Sequence, residues 1–263
     1  MTTSLTGTAH VWSTEEKRIL VAAARQAPKR WIDDVWTLSV RADSLDLYER
    51  LANKHGARDR GGRARLIVCG AVLANLECAM RMLGWAPLPD LTCDVLAMDR
   101  VARLEARRRI RPVAVDFARF AALSGRRTKP VPASVTTWGR EVAGANEGDG
   151  IGIRVLTPSH VRDLPKVGGR IARNVGRDDS WIAFLVSTAA ETRGLLVHAG
   201  VIAQRLLLAS TEHGLTGTAF TEPFDTPVVR GTLAGTDGAR GFPQAVVVVE
   251  QPRRTPAQKG RTP

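Results

Sequence analysis

Gly70 to Trp85 reads GAVLANLECAMRMLGW, and this stretch decides how the rest of the chain is read. An apolar side chain falls on nearly every turn, with polar residues confined to Asn75, Glu77 and Arg81, so the stretch predicts a buried helix. Gly84 after Leu83 predicts its end, because glycine accepts the left-handed C′ position. The pattern recurs. Gly200 to Leu215 reads GVIAQRLLLASTEHGL, and at an offset of 130 Gly70 falls on Gly200, Leu76 on Leu206, Ala79 on Ala209, Gly84 on Gly214 and Trp85 on Leu215. Asn75 falls on Arg205, so the echo lies in shape and apolarity more than in polar detail. It is read either as an internal repeat, which would set the fold, or as two ordinary core helices that both end at glycine.

The 263 residues suffice for one large or two small domains with a real core. The formal net charge is +12, and only six residues are lysine, so arginine carries most of the positive charge. A basic surface favours phosphate-bearing partners. The arginines are spread along the chain and not interleaved with aromatics, which disfavours a dedicated nucleic-acid stripe. Cys69, Cys78 and Cys93 are odd in number and lie in or near apolar elements, so they read as buried hydrophobes of a reducing, cytoplasmic compartment. Charged or polar residues break the longest apolar runs, and no membrane span is expected.

Residues 1–12 are read as disordered. Ser13-Thr14-Glu15-Glu16 is a capping box opening a helix to about Arg25, ended by Pro28. Val35–Val40 and Leu45–Glu49 form a hairpin around Ala42-Asp43. Arg58–Arg63 reads as a loop, Leu91–Ala97 as a strand and Asp99–Arg109 as a basic helix with a solvated face. Pro112 divides the chain into segments 13–111 and 112–251. Val113–Leu123 is an amphipathic helix, and Arg126-Arg127-Thr128-Lys129-Pro130 is a basic loop opening the next one. Ile151–Leu156 is a strand, Thr157-Pro158 starts a helix, Trp181–Ala190 is a helix, Pro227–Leu233 is a short helix or turn, and Ala245–Glu250 is a strand. The tail 252–263 is rich in Pro, Arg and Thr and is read as disordered. The sum is an α+β protein with more helix than strand.

Metal chemistry is not expected, since the histidines and cysteines show no ligand spacing. The glycine-rich run Gly231–Gly241 lacks a Gly-Lys-Ser/Thr ending, and Gly148–Gly152 runs into a strand, so neither cradles a nucleotide. The loop Arg126–Lys129 is the better candidate. Guanidinium groups beside a hydroxyl, with a helix N-terminus just beyond, suit an anionic phosphate.

Three stretches together resemble the nitroreductase family, in particular its Acg-like subgroup, in which one chain holds two nitroreductase-like halves. Arg65–Trp85 is similar to the subgroup's helix in Cys69, Gly70, Ala71, Leu73, Asn75, Leu76, Ala79, Arg81, Leu83, Gly84 and Trp85. Arg126-Arg127-Thr128 resembles its Arg-Arg-Thr loop. Gly200–Val249 keeps the family order of helix, Gly214-Leu215, Glu222-Pro223, Arg230 and Pro243-Gln244. The resemblance implies a pseudo-dimer whose central helices pack at the junction of the halves, with small mixed or antiparallel sheets and FMN in the junction. It implies an FMN-dependent oxidoreductase drawing on NAD(P)H and acting on a small molecule or biosynthetic intermediate, either as a monomer with an internal pseudo-dimer or as a homodimer. Arg126, Arg127 and Thr128 would hold the FMN phosphate, with Lys129 in the same loop. Thr221 and Glu222 would lie near the flavin ring, and Asn75 would face the junction. No catalytic residue is assigned.

The chain also departs from that pattern. After Ala27-Pro28 the family's Ser, His, Asn and Gln are replaced within Lys29–Asp34, although Trp36 is kept. Val248 and Glu250 stand where an Arg and a Gly are common, which removes one phosphate partner and adds a carboxylate. The alternative implied is a non-catalytic member that stores or binds flavin or another ligand.

Overall fold

A computed structural model describes residues 10–28, 35–50, 59, 61–91, 98–146, 148, 150–164, 179–226, 228–231 and 241–252. In chain order the elements are α1 (Thr14–Ala24), β1 (Trp36–Val40), β2 (Ser44–Glu49), α2 (Arg63–Met82), β3 (Arg100–Glu105), α3 (Ala114–Leu123), α4 (Val135–Gly144), β4 (Ile151–Val155), α5 (Pro158–Arg162), β5 (Trp181–Thr188), α6 (Arg193–Glu212), β6 (Thr216–Phe220), a 3-10 turn (Glu222–Asp225) and β7 (Phe242–Glu250). The strands form two antiparallel sheets, β1-β2-β3 and β4-β5-β7-β6. The protein is therefore α+β.

Helices α2 and α6 form the most extensive interhelical contact. They meet at two glycines. A Cβ on Gly70 would collide with the Val197 carbonyl and lie 2.9 Å from the Gly200 Cα; a Cβ on Gly200 would collide with the Ile67 carbonyl and lie 3.0 Å from the Gly70 Cα. The contact is reciprocal, because Ile67 and Val197 are themselves 130 positions apart. Both helices also end alike. Trp85 N–H donates to the Met80 carbonyl and Leu215 N–H to the Ser210 carbonyl, each at 2.9 Å, with Gly84 and Gly214 left-handed at φ +84° and +69°.

Each sheet is built from strands that flank one long helix in the sequence. Residues 14–105 run helix, strand, strand, long helix, strand, and residues 135–250 run the same way with α5 and β6 added. Where β6 pairs with β7, the described residues of the first segment have an isolated antiparallel bridge between Asp90 and Arg103. The β1–β2 hairpin and the Ser13–Glu16 capping box form as their sequences predict.

Two expectations fail, both by taking strand for helix. Arg100–Glu105 is β3, paired along β2, and Arg103 is not on a solvated helix face: it forks onto the buried Asp46 carboxylate at 2.7 and 2.9 Å. Trp181–Thr188 is β5, interior to its sheet between β4 and β7. Its side chains alternate between two cores, Ile182, Phe184 and Val186 towards α6, and Trp181, Ala183 and Leu185 towards Leu156, Val161 and Phe224. A strand buried on both faces reads as an unbroken apolar run, which periodicity does not separate from a core helix.

Other boundaries move. Helix α2 begins at Arg63, at the end of the expected loop, with the Asp59 carboxylate accepting the Ala64 and Arg65 N–H groups. Residues 10–12 are ordered rather than loose: His10 N–H reaches the Ala106 carbonyl, Trp12 N–H reaches that of Ala42, and Trp12 is buried. The expected strand over 91–97 falls almost wholly outside the described residues. Lys29–Asp34, Cys93, residues 1–9 and the tail from 253 lie outside them too.

The first residues of α2 and α6 reach across to opposite sheets. Arg63, buried, donates to the carbonyls of Thr221 at 2.7 Å and Gln244 at 2.8 Å, and pairs with Asp225 at 2.7 Å. Burial lowers its guanidinium pKa, against the pull of Asp225. Arg193, 130 positions on, pairs with Glu49 at the end of β2 and donates to the Arg100 carbonyl.

Candidate functional site

A cavity of about 600 Å³ opens beside α6, within the range of small-molecule sites. Its walls are the end of α1 (Arg25–Pro28), the end of α3 (Ala122, Leu123, Gly125), α6 (Gln204, Leu207, Leu208, Thr211) and β6 (Thr216–Ala219). Among the described residues Arg25 is the only ionisable side chain in this wall. The rest is aliphatic, backbone, hydroxyl or amide.

The notable wall residue is Gln204, 4% exposed. Its Nε2 donates to Asn75 Oδ1 at 2.9 Å, and Asn75 Nδ2 donates to the Ala23 carbonyl at 3.1 Å. Gln204 Oε1 is buried with no hydrogen-bond partner among the described residues. Asn75 is fully buried where α1, α2 and α6 meet. It reaches the cavity through its neighbour, not directly.

The basic loop is held by the last turn of α6. Thr128 and Lys129 N–H groups both donate to the Glu212 carbonyl, at 2.9 and 2.8 Å, and His213 bonds the Pro130 carbonyl at 2.7 Å. Lys129 is ion-paired with the buried Glu212 carboxylate, which Arg119 also approaches at 3.7 Å. Arg126 and Arg127 are exposed and make no ion pair among the described residues. The Arg127 stem covers Gly214, where a Cβ would sit 2.5 Å from its Cδ. Gly125, next to Arg126, lines the cavity, so the arginine loop starts at its lip. The helix that follows is capped by its own Ser134, whose hydroxyl accepts the Thr137 N–H.

Thr221 and Glu222 lie at the far end of β6, about 17 Å along a five-residue strand. Thr221 is buried with its carbonyl on Arg63, and the Glu222 carboxylate folds back onto the Thr221 N–H at 3.2 Å. The seven expected residues thus fall into three places. The cavity joins the lip of the arginine loop to the partner of Asn75 and stops at Ala219, two residues short of Thr221. Gln204, Arg25 and Thr218 were not anticipated. A lone amide within the apolar run of α6 was the available signal for Gln204.

No family model and no curated protein matches this chain. The site rests on its own geometry.

A second cavity of about 360 Å³ lies along α2, lined by Ala74, Glu77, Cys78, Arg81 and Pro87, with α3 and Arg205 opposite. Two ion pairs cross it, Glu77–Arg205 at 3.0 Å and Arg81–Asp116 at 2.7 Å. Burial pushes the thiols of Cys69 and Cys78 up to about 12, so both are unreactive as nucleophiles. No three metal-ligating side chains come together among the described residues. Of the described helices, α6 alone is long and apolar enough to cross a membrane, and it is mostly buried in the core.

Proposed function

We propose that this chain is a two-halved, nitroreductase-like flavoprotein that binds FMN in the cavity beside α6 and passes electrons from NAD(P)H to a small-molecule acceptor. The observation that carries this reading is the reciprocal crossing of α2 and α6 at Gly70 and Gly200 beside a cavity of FMN-compatible size. The repeated element order and the matching helix ends support a pseudo-dimer.

The residues present suit FMN in two places. Arg126 and Arg127, exposed at the lip, would take the phosphate through charge-assisted hydrogen bonds. The wall made by Leu123, Gln204, Leu207 and Leu208 would take the ring. Lys129 is already engaged by Glu212, and Glu222 by its own backbone, so neither is assigned to the cofactor. FMN, when bound, supplies the hydride and electron chemistry. The chain's part is to bind and orient it. Leu207, Leu208 and Leu123 line the inner wall, and among the described residues no wall carboxylate, histidine or thiol is available to move a proton. That last feature favours a second reading, a protein that stores flavin without turning it over. The unreactive buried thiols agree with a cytoplasmic setting, and the largely uncharged inner wall, with Arg25 its one ionisable side chain among the described residues, agrees with a small-molecule rather than a nucleic-acid partner.

A visible spectrum tests the proposal. Purified protein given FMN is expected to retain it through gel filtration, with absorption near 450 nm that NADPH bleaches. Arg126→Ala with Arg127→Ala should weaken FMN binding about tenfold or more while leaving the melting temperature unchanged. Retained flavin that NADPH or NADH never bleaches selects storage. A protein that takes up no FMN overturns both readings.

A further inference from the structure

We propose that the surface of residues 107–131 docks onto an anionic phospholipid membrane, with α3 lying in the plane of the interface. The protein rests on the bilayer and does not cross it. This inference stands apart from the flavin reading.

Positive charge is concentrated here. Arginine is spread along the whole chain, but acids are nearly absent from this stretch. Residues 107–131, under a tenth of the chain, hold eight Arg and Lys against one acidic residue, a net of +7 out of the formal +12. That acid, Asp116, is buried and paired with Arg81. Arg107, Arg119 and Lys129 are engaged by Glu105 and Glu212. Arg108, Arg111, Arg126 and Arg127 are exposed and make no ion pair among the described residues.

Apolar surface is concentrated in the same place. Of the nine exposed large apolar side chains among the described residues, four lie in this segment: Val113, Val115, Phe117 and Val131. Helix α3 turns Asp116, Ala122 and Leu123 inward. Val113 and Phe117, one helical turn apart, therefore stand outward, 50% and 54% exposed. The ten residues of α3 span about 15 Å, with Arg111 shortly before them and Arg126 shortly after.

The combination selects the partner. Exposed Phe and Val gain from the apolar boundary of a bilayer, while guanidinium groups beside them meet lipid phosphates. Nucleic acid rewards the arginines alone, because its interfaces are polar and wet. A second copy of the chain would bring like charge against like charge.

Vesicle flotation of the full chain tests the proposal. Wild type is expected to float with phosphatidylcholine vesicles that contain phosphatidylserine, and not with pure phosphatidylcholine vesicles. Phe117→Glu should weaken binding about tenfold or more. Arg108→Ala with Arg111→Ala should weaken it about fivefold for each arginine removed. Should Phe117→Glu fail to fold, the arginine variant and the two vesicle compositions still decide. Equal binding to both vesicle types, or to neither, overturns the proposal. So does undiminished binding by folded Phe117→Glu, which would leave charge adhesion without α3. Binding to duplex DNA but not to vesicles overturns it in favour of a nucleic-acid surface. A dimer that Phe117→Glu disperses, with no vesicle binding, overturns it in favour of self-association.

Discussion

Two of the cavities beside the central helices are built from different residues at matching positions. Five wall residues of the larger, Gln204, Leu207, Leu208, Thr211 and Gly217, stand 130 positions after five of the smaller, Ala74, Glu77, Cys78, Arg81 and Pro87. The backbone makes two comparable recesses, and the side chains decide their fate. On α6 they are neutral and leave about 600 Å³ open. On α2 Glu77 and Arg81 span the recess with ion pairs to Arg205 and Asp116, and about 360 Å³ remains. Two charged residues thus turn an open recess into a structural joint.

The comparison can be broken at its axis. Gly70→Val should cost at least about 3 kcal/mol in chemical denaturation, because the new side chain meets a backbone carbonyl and the facing helix rather than a flexible group. Both recesses should be lost together; retention of FMN binding by that variant would separate the cavity from the crossing.

Arg81→Thr, which gives α2 the residue found at the matching position of α6, should cost about 1–2 kcal/mol at pH 7. It leaves the buried Asp116 carboxylate short of a partner, but Arg81 is itself 43% exposed, which screens the pair. Burial opposes the charge on Asp116, yet the Val113 N–H and Arg81 together hold its pKa below the usual carboxylate range. Its contribution is therefore present above the unfolded value of about 4 and is lost as pH falls through the native one. The gap between wild type and variant in denaturation should close on acidification; a constant gap would assign the loss to packing.

The smallest effect lies far from either recess. Burial works against the charge of Glu16, but His10, the Ser13 N–H and the Ser13 hydroxyl outweigh it and hold its carboxyl down at about 2. Glu16→Gln should lower stability by about 1 kcal/mol near neutrality, with the difference fading between pH 4 and 2. FMN affinity should not move.

Much of this scaffold is legible in the residues. Gly84 and Gly214, the Ser13–Glu16 box and the turn at Ala42-Asp43 act over a few positions, and local chemistry declares them. Arg103 and Phe184 do not declare themselves. Their surroundings come from Asp46 and from α6, distant in sequence, and tertiary pairing overrides the helical appearance of both stretches. The same holds for the site. Arg126 and Arg127 stand out as a cluster, whereas Gln204 matters only because the fold sets it against Asn75, and its counterpart at the 130 offset is Ala74. That Glu222 turns onto its own backbone is settled by the 3-10 turn in which it sits.

Arg63 carries a consequence for biosynthesis. The acceptors that satisfy its guanidinium lie 158 and 181 residues further along the chain. At a translation rate of about 5–20 residues per second, α2 waits roughly 10–40 s for them. Until then its glycine face and its buried arginine have no counterpart, and the first sheet lacks Arg193 as well. Neither segment can complete its fold ahead of the other on the ribosome. One long apolar helix therefore stays without its packing surface until its mate emerges.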